Sequence, residues 1–247
     1  MTPKYIDLHL LPDLNAPHQI ERMIKKASNL GYQKIAIPTP PNFPSQKTEH
    51  IKNLCKQSGL DFVSRLDLKP RKARELIHNL RRWRRRYEII SVACQSKSVA
   101  RQAAKDRRVD LIRFPSPNPR RRFFDRAEAE LASHALTSLE IPLNPLLTLK
   151  GRKRIRLLST LRREVSIAEK FEVPLTLSSA AHQEILMRKP RAMTALTSLF
   201  DLPPQSALQA ITEKPLEIIE RNRKKLSPQY IAPGIRLIRR GKDCPQN

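Results

Sequence analysis

The sequence predicts an α/β protein folded as a (β/α)8 barrel, and three observations point there. Short β-rich runs alternate with helical patterns along the 247 residues. Short connections between them imply parallel strands joined by right-handed crossovers. Eight strand candidates over about 250 residues match the usual size of such a barrel. The candidates are Tyr5–Leu10, Lys34–Pro38, Asp61–Leu66, Glu88–Cys94, Asp110–Phe114, Leu139–Leu143, Val173–Ser178 and Ile235–Ile238. A doubly wound open sheet is the alternative.

The helices follow from apolar spacing. Ile20, Met23, Ile24, Ala27 and Leu30 lie on one face of a helix. A second helix carries Ile51, Leu54 and Cys55, a third Ala73, Leu76, Ile77, Leu80 and Trp83, and a later one Leu158, Leu161, Val165 and Ala168. Gly31 and Gly59 follow the first two as C-caps that turn the chain into the next strand. Pro115-Ser116-Pro117-Asn118-Pro119 forms a stiff loop after the fifth strand. Residues 190–226 read as several short irregular helices, punctuated at Pro203-Pro204 and opened at Pro215. The expected organisation is a single barrel domain over residues 1–240 and a short tail over residues 241–247.

Composition narrows the function. The chain holds 48 Lys+Arg against 23 Asp+Glu, a formal net charge of +25. A charge of that size favours a polyanionic partner. With five glycines and neither a GxxxxGK[ST] nor a GxGxxG segment, a nucleotide-driven motor and a Rossmann dehydrogenase are disfavoured. Cys55, Cys94 and Cys244 form no CxxC pair and read as reduced thiols. The amino end lacks the apolar core of a signal peptide, and no apolar stretch reaches the ~20 residues of a bilayer span. The expectation is a cytoplasmic protein with no membrane partner.

The excess charge is concentrated in four blocks: residues 71–86, 101–126, 150–170 and 221–240. In the first, eight basic residues face one acid. Its apolar stripe turns inward, leaving Arg71, Lys72, Arg74, Arg81, Arg82, Arg85 and Arg86 toward solvent. Charges so crowded repel one another until an anion arrives, and the guanidinium fork suits phosphate. Arg120-Arg121-Arg122 follows the proline loop, and Lys150-Gly151-Arg152-Lys153-Arg154 opens a helix, where backbone N–H groups add to phosphate attraction. The helices look committed to a core rather than to membrane insertion. Few aromatics are available for stacking, and Phe123-Phe124 read first as packing, with base stacking the other reading. Recognition of a folded RNA through its shape and backbone fits best.

A catalytic site on a β/α barrel would use the C-terminal strand ends. The polar residues expected there are Asp7, His9, Arg65, Asp67, Gln95, Arg113, Asn144, Ser178 and Ser179. Asp7-Leu8-His9 resembles the start of the DLHxH signature of polymerase-and-histidinol-phosphatase-type metallohydrolases, whose barrels bind two or three metals. Leu11 stands where the second histidine belongs. One histidine and two aspartates are too few for such a centre, and no GxSxG elbow occurs.

A wider resemblance spans most of the chain and is densest over residues 109–223. Asn144-Pro145-Leu146-Leu147, Val173-Pro174-Leu175-Thr176-Leu177-Ser178-Ser179-Ala180-Ala181, Arg188-Lys189-Pro190-Arg191 and Lys214-Pro215-Leu216-Glu217-Ile218-Ile219-Glu220-Arg221-Asn222 carry it. In that order they resemble protein component 3 of archaeal ribonuclease P, counterpart of the thirty-kilodalton-class eukaryotic subunit. The resemblance implies a barrel related to the metallohydrolases without their chemistry. It implies a ribonucleoprotein endonuclease that removes the 5′ leader of precursor tRNA, with cleavage performed by the RNA subunit and its Mg²⁺. No cofactor is then bound by this chain. The implied partners are the catalytic RNA, the RRM-like protein component 2, other ribonuclease P proteins and precursor tRNA.

On this reading no residue of the chain is catalytic, and the expected RNA contacts are Arg71, Arg81, Arg82, Arg85, Arg86, Arg113, Arg120, Arg121, Arg122, Lys150, Arg152, Lys153, Arg154, Arg188 and Arg191. Ser178, Ser179 and Asn144 are expected to tie strand-end loops. Reversing the charges of Arg120–Arg122 is expected to raise the Mg²⁺ optimum of the reconstituted enzyme. Two rivals have their own signatures. A metal-dependent phosphoesterase would hydrolyse a phosphoester alone and lose this activity on His9→Ala. A general nucleic-acid-binding protein would hold DNA and unrelated RNA equally well.

Overall fold

Seven strands form one parallel sheet in chain order: β1 Tyr5–Asp7, β2 Tyr32–Pro38, β3 Asp61–Leu68, β4 Ile89–Ala93, β5 Leu111–Arg113, β6 Ser138–Pro142 and β7 Leu175–Ser178. This is a computed structural model, and it describes residues 3–232 and 235–236. The sheet curls until its edges meet. Near the C-terminal strand ends, Leu10 bridges Ala181 in parallel, with Leu11 N–H donating to the Ala181 carbonyl at 2.8 Å. At the opposite end Leu177 N–H donates to the Ala210 carbonyl (3.0 Å) and Ile6 N–H to the Ile211 carbonyl (2.9 Å).

That geometry corrects the eighth strand. The eighth stave is the two-residue stretch Ala210-Ile211, too short to carry a periodic signal. Ile235–Arg236, the start of the predicted strand, instead pairs antiparallel with Tyr230–Ala232 in a separate two-stranded ribbon, β8 and β9. Residues 237–238, and the expected tail over residues 241–247, lie outside the described residues.

Helices α1 Pro17–Asn29, α2 Ser45–Gln57, α3 Ala73–Trp83, α4 Lys97–Lys105 and α5 Arg126–Ala135 clad the outside, followed by α6 Asn144–Thr148 and α7 Gly151–Lys170. The periodic residues do what their spacing predicts. Ile20, Met23, Ile24 and Ala27 are buried under α1, and Leu76 and Leu80 under α3. In α7 the buried apolar residues are Leu157, Leu161, Val165 and Ala168, joined by Thr160 and Glu164, with Leu157 rather than Leu158 making the first contact. Gly31 (φ 91°) and Gly59 (φ 71°) take the left-handed conformation that a side chain would strain. Ser96 caps α4, and Asp125 caps α5 by accepting from Ala127 N–H at 2.8 Å.

The C-terminal helices are α8 Pro190–Leu196, α9 Pro204–Gln209 and α10 Glu213–Leu226. Helix α10 plugs the barrel floor: Ile218 and Ile219 join Ile6, Leu8, Ala36, Val63, Ile89 and Leu111 in an inner core separate from the sheet–helix layer. Burying each large aliphatic side chain is worth about 1.5–3 kcal/mol. Polar groups fix its register. Asn222 Nδ2 donates to Asp110 Oδ1 (2.8 Å) and to the Glu88 carbonyl (2.7 Å). Arg223 donates both its terminal nitrogens to Asp61 (2.7 and 2.9 Å), which Lys34 also engages. Burial pushes the Asp61 carboxyl up, but the Arg223 and Lys34 contacts outweigh it and hold it below the ordinary range. The motif Lys214–Asn222 is therefore the sequence of a plug.

Candidate nucleic-acid interface and polar barrel mouth

Above the apolar floor, the barrel interior turns polar. Arg65 projects from β3 with no exposed surface. Its Nη1 and Nη2 donate to the two oxygens of Glu140 at 2.7 Å each, its Nε donates to Asp67 Oδ1 at 2.7 Å, and Nη1 also reaches the Leu8 carbonyl at 2.6 Å. Ser178 Oγ (2.8 Å) and Ser91 Oγ (3.1 Å) donate to Glu140 as well, and Arg113 Nη2 donates to Asp67 Oδ2 at 2.8 Å. Burial raises the Asp67 and Glu140 carboxyls, but Arg65 and then His9 more than reverse it, and both stay well below the usual carboxylate range. Two buried carboxylates thus face two guanidinium ions, the balance a charged interior requires.

His9, 1 % exposed, sits between them, with Nε2 3.3 Å from Asp67 Oδ2 and Nδ1 3.3 Å from Glu140 Oε1, neither in hydrogen-bonding alignment. Asp7 lies beside it. Its Oδ1 accepts from His9 N–H and Ser179 N–H, both at 3.1 Å, while Oδ2 has no partner among the described residues. The residues do not fit a metal ion. Both oxygens of Asp67 and of Glu140 are already held by guanidinium donors, which leaves a cation only Asp7 Oδ2, and a metal beside Arg65 would meet a like charge.

Burial pushes the Asp7 carboxyl up, against opposing hydrogen bonds from Ser179 and His9. A raised folded-state value means that Asp7's stabilising contribution is full below the unfolded value of about 4 and lost as pH rises through the folded one. Asp7→Asn, which imitates the neutral acid, is expected to match the parent near pH 4 and exceed it in melting temperature near pH 8. Melting curves at the two pH values check this.

The predicted strand-end residues all come to this end of the barrel. Ser179 Oγ donates to the His9 carbonyl (3.3 Å), Asn144 Nδ2 lies 3.2 Å from His182 Nδ1, and Gln95 is exposed at the rim. Glu140 was missing from that set. Its signal is an acid flanked by Leu139 and Ile141 in the middle of a five-residue strand.

The predicted RNA contacts divide in two. Arg71, Arg81, Arg82, Arg85, Arg86, Arg120, Arg121, Lys150, Arg152, Lys153, Arg154 and Arg191 are exposed and make no salt bridge among the described residues. Arg82 and Arg86 lie 4.6 and 5.2 Å from the Trp83 ring centroid, which steadies their stems without consuming their charge. These groups lie around α3, on the Pro119–Arg121 turn, at the start of α7 and on α8, and the Pro119–Arg121 turn packs on α7.

Arg113 and Arg122 are corrected. Arg113 is spent on Asp67. Arg122, 6 % exposed, turns inward and donates Nε and Nη2 to Glu164 on α7 (2.8 and 2.5 Å) and Nη1 to the Phe114 carbonyl (2.6 Å). Neither can offer a free fork to a phosphate. Arg188 is half-buried, with Nη1 donating to the Ile185 (2.5 Å) and Met187 (3.1 Å) carbonyls, so it braces its loop. Phe124 is core, its ring 6.2 Å from that of Phe114. The Cys55 and Cys94 thiols are buried, and burial pushes each up to about 12, which keeps them protonated. Cys244 lies outside the described residues. No helix among the described residues is long and apolar enough to cross a membrane.

Known proteins agree with this architecture. Ribonuclease P protein component 3 of Methanosarcina barkeri (strain Fusaro / DSM 804) is 28% identical over 241 residues, covering 97% of this chain and 98% of that protein. The same component of Methanosarcina acetivorans is 29% identical over 244 residues, with 96% of each covered. Among solved structures, a chain of the cryo-EM structure of archaeal ribonuclease P with mature tRNA superposes with a TM-score of 0.83 at 22% identity, covering 96% of this chain and all of that one. A Xaa-Pro dipeptidase with bound methionine superposes with a TM-score of 0.51 at 11% identity, over 90% of this chain and 76% of that one, a likeness of fold. The family model for RNase P subunit p30 matches residues 4–227. The chain belongs to the RNase P subunit p30 family.

Proposed function

We propose that this chain, a protein subunit of ribonuclease P, serves the complex as an electrostatic scaffold for the RNA that cleaves the 5′ leader of precursor tRNA. The supporting observation is the partition of its arginines. Inside the barrel wall, Arg65, Arg113 and Arg122 are spent on acids, whereas the predicted contacts around α3, the Pro119–Arg121 turn, the start of α7 and α8 are exposed with no salt bridge among the described residues. Exposed guanidinium groups lower the repulsion between packed phosphates, and with it the RNA's demand for Mg²⁺. On this reading the chain binds no cofactor, contributes no catalytic residue, works in the cytoplasm, and meets the catalytic RNA together with the RRM-like protein component 2 and other protein subunits.

The charge-reversal test is confined to Arg120 and Arg121, because a carboxylate at position 122 would face Glu164 inside the protein. Arg120→Glu/Arg121→Glu is expected to leave the melting temperature unchanged and to raise the Mg²⁺ optimum of the reconstituted enzyme severalfold. The check is a Mg²⁺ titration of precursor-tRNA cleavage. An unchanged optimum with intact assembly removes these two residues from the interface.

A further inference from the structure

The floor of the barrel carries cations beyond the predicted RNA contacts. Helix α4 ends at Lys105, the turn into β5 adds Arg107, and the last turn of α10 holds Lys224 and Lys225. All four are exposed and make no salt bridge among the described residues. Four acids beside them are already engaged: Asp106 by Arg108, Asp110 by Arg84 and Arg221, Glu88 by Arg223, and Asp61 by Arg223 and Lys34. These contacts draw the corner together. Arg84, at the C-cap of α3, donates to Asp110 Oδ2 (2.5 Å) and to the Arg108 carbonyl (3.4 Å). Arg221 and Asn222 of α10 donate to Asp110 Oδ1 at 3.2 and 2.8 Å. The ends of α3, α4 and α10 thus meet, and the four cations extend the exposed Arg81, Arg82, Arg85 and Arg86 into one basic surface. Partial burial, then Arg221, Arg84 and Arg107, push the Lys225 ammonium below its ordinary value against the pull of Asp110, as expected of a cation among cations.

Other exposed arginines lie at the opposite end. Parallel strands put every strand-to-helix connection at the mouth, so Arg71 after β3, Arg120 and Arg121 after β5, and Arg152 and Arg154 at the start of α7 stand there. Helix α3, 11 residues long, separates Arg71 from the floor cluster by about 16 Å. That exceeds the screening length of about 8 Å at physiological salt, so phosphates bound at the mouth leave the repulsion on the floor unrelieved. A second stretch of phosphates would supply that relief.

We propose that the barrel floor, through Lys105, Arg107, Lys224 and Lys225 beside the end of α3, is a second RNA-binding surface. The chain then ties together two separate segments of one folded RNA, gripping a different one at each end of the barrel. Exposed Lys and Arg free of acids engage phosphate backbone, so each end recognises its segment by shape and position. The inference rests on the ribonuclease P reading for the identity of the RNA, and the test separates the two.

Hydroxyl-radical footprints on ribonuclease P RNA are compared for the full-length parent and two variants. The floor variant is Lys105→Gln/Arg107→Gln/Lys224→Gln/Lys225→Gln, and the mouth variant is Arg120→Gln/Arg121→Gln/Arg152→Gln/Lys153→Gln. The parent is expected to protect two segments distant in the RNA sequence. Protection of one is expected to weaken about tenfold at low salt in the floor variant, and of the other in the mouth variant. Both variants should melt at or above the parent's temperature, which separates lost contact from lost folding. A single protected segment in the parent, a floor variant with the parent's footprint, or two variants that lose the same segment overturns the proposal. An unchanged floor footprint is also what docking of an acidic protein on the floor would give. Short RNA duplexes bound per chain, counted by native mass spectrometry, supply an arm independent of ribonuclease P RNA, with a higher count expected for the parent than for the floor variant. If the parent protects nothing in ribonuclease P RNA, the function proposed above fails first. The floor is then judged by this count alone, and equal numbers for the two proteins overturn it.

Discussion

Arg65→Met is expected to cost about 3–5 kcal/mol, enough to threaten folding outright in a domain of ordinary stability, about 5–15 kcal/mol. The methionine fills much of the same volume, so the loss is electrostatic. It strands Glu140, which then keeps only Ser91, Ser178 and His9 beside it, and leaves Asp67 with Arg113. The pH dependence makes the cause visible. In the parent, Asp67 and Glu140 sit below their unfolded values, so their contribution is present above about pH 4 and fades as pH falls further. Without the guanidinium, burial is opposed at Glu140 only by His9 and the two serine hydroxyls, so its carboxyl is expected to rise and the variant to gain stability relative to the parent as pH falls toward 4. Urea unfolding at pH 3, 4.5 and 7.5 reads both signs. Adding Glu140→Gln is expected to recover a substantial share of the loss, because the uncompensated charge is gone. If Arg65→Met were as stable as the parent, the ion network would be decoration.

The second large effect is on binding. Arg81, Arg82, Arg85 and Arg86 are exposed at the end of α3, with no acid paired to them among the described residues. Replacing all four with glutamine is expected to weaken binding of ribonuclease P RNA on the order of a hundredfold at low salt. The same variant is expected to melt at or above the parent's temperature, because mutual repulsion along the helix is relieved. The opposite signs on affinity and stability are the point: a cluster kept for folding would lose both. Filter binding and thermal melts on one preparation settle it.

Much of this was legible in the sequence because it is local. The apolar spacing of α1 and α3, the glycines that end α1 and α2, and seven of the strands follow from short-range pattern. The eighth stave was not, since two residues at Ala210-Ile211 carry no period, whereas Ile235–Ile238 imitates a strand. The arginine triplet shows the other boundary. Arg120, Arg121 and Arg122 are alike as letters, and the turn over Pro119–Arg121 decides that the third points inward to an acid 42 residues away. Glu164 was the available clue. It lies on the apolar face of α7 between Leu161 and Ala168, and a carboxylate there asks for a buried cation. Glu140 asks the same from inside β6, and Arg65 answers it.

The central claim is that this protein holds its RNA through exposed guanidinium groups, and the salt dependence of binding tests it most directly. With the full chain and ribonuclease P RNA at fixed Mg²⁺, the logarithm of the association constant is predicted to fall steeply and linearly with the logarithm of monovalent salt. The slope should be shallower by about three to four in the four-glutamine α3 variant, near one unit per lost phosphate contact. A parent affinity indifferent to salt, or identical slopes for the two proteins, would contradict the account.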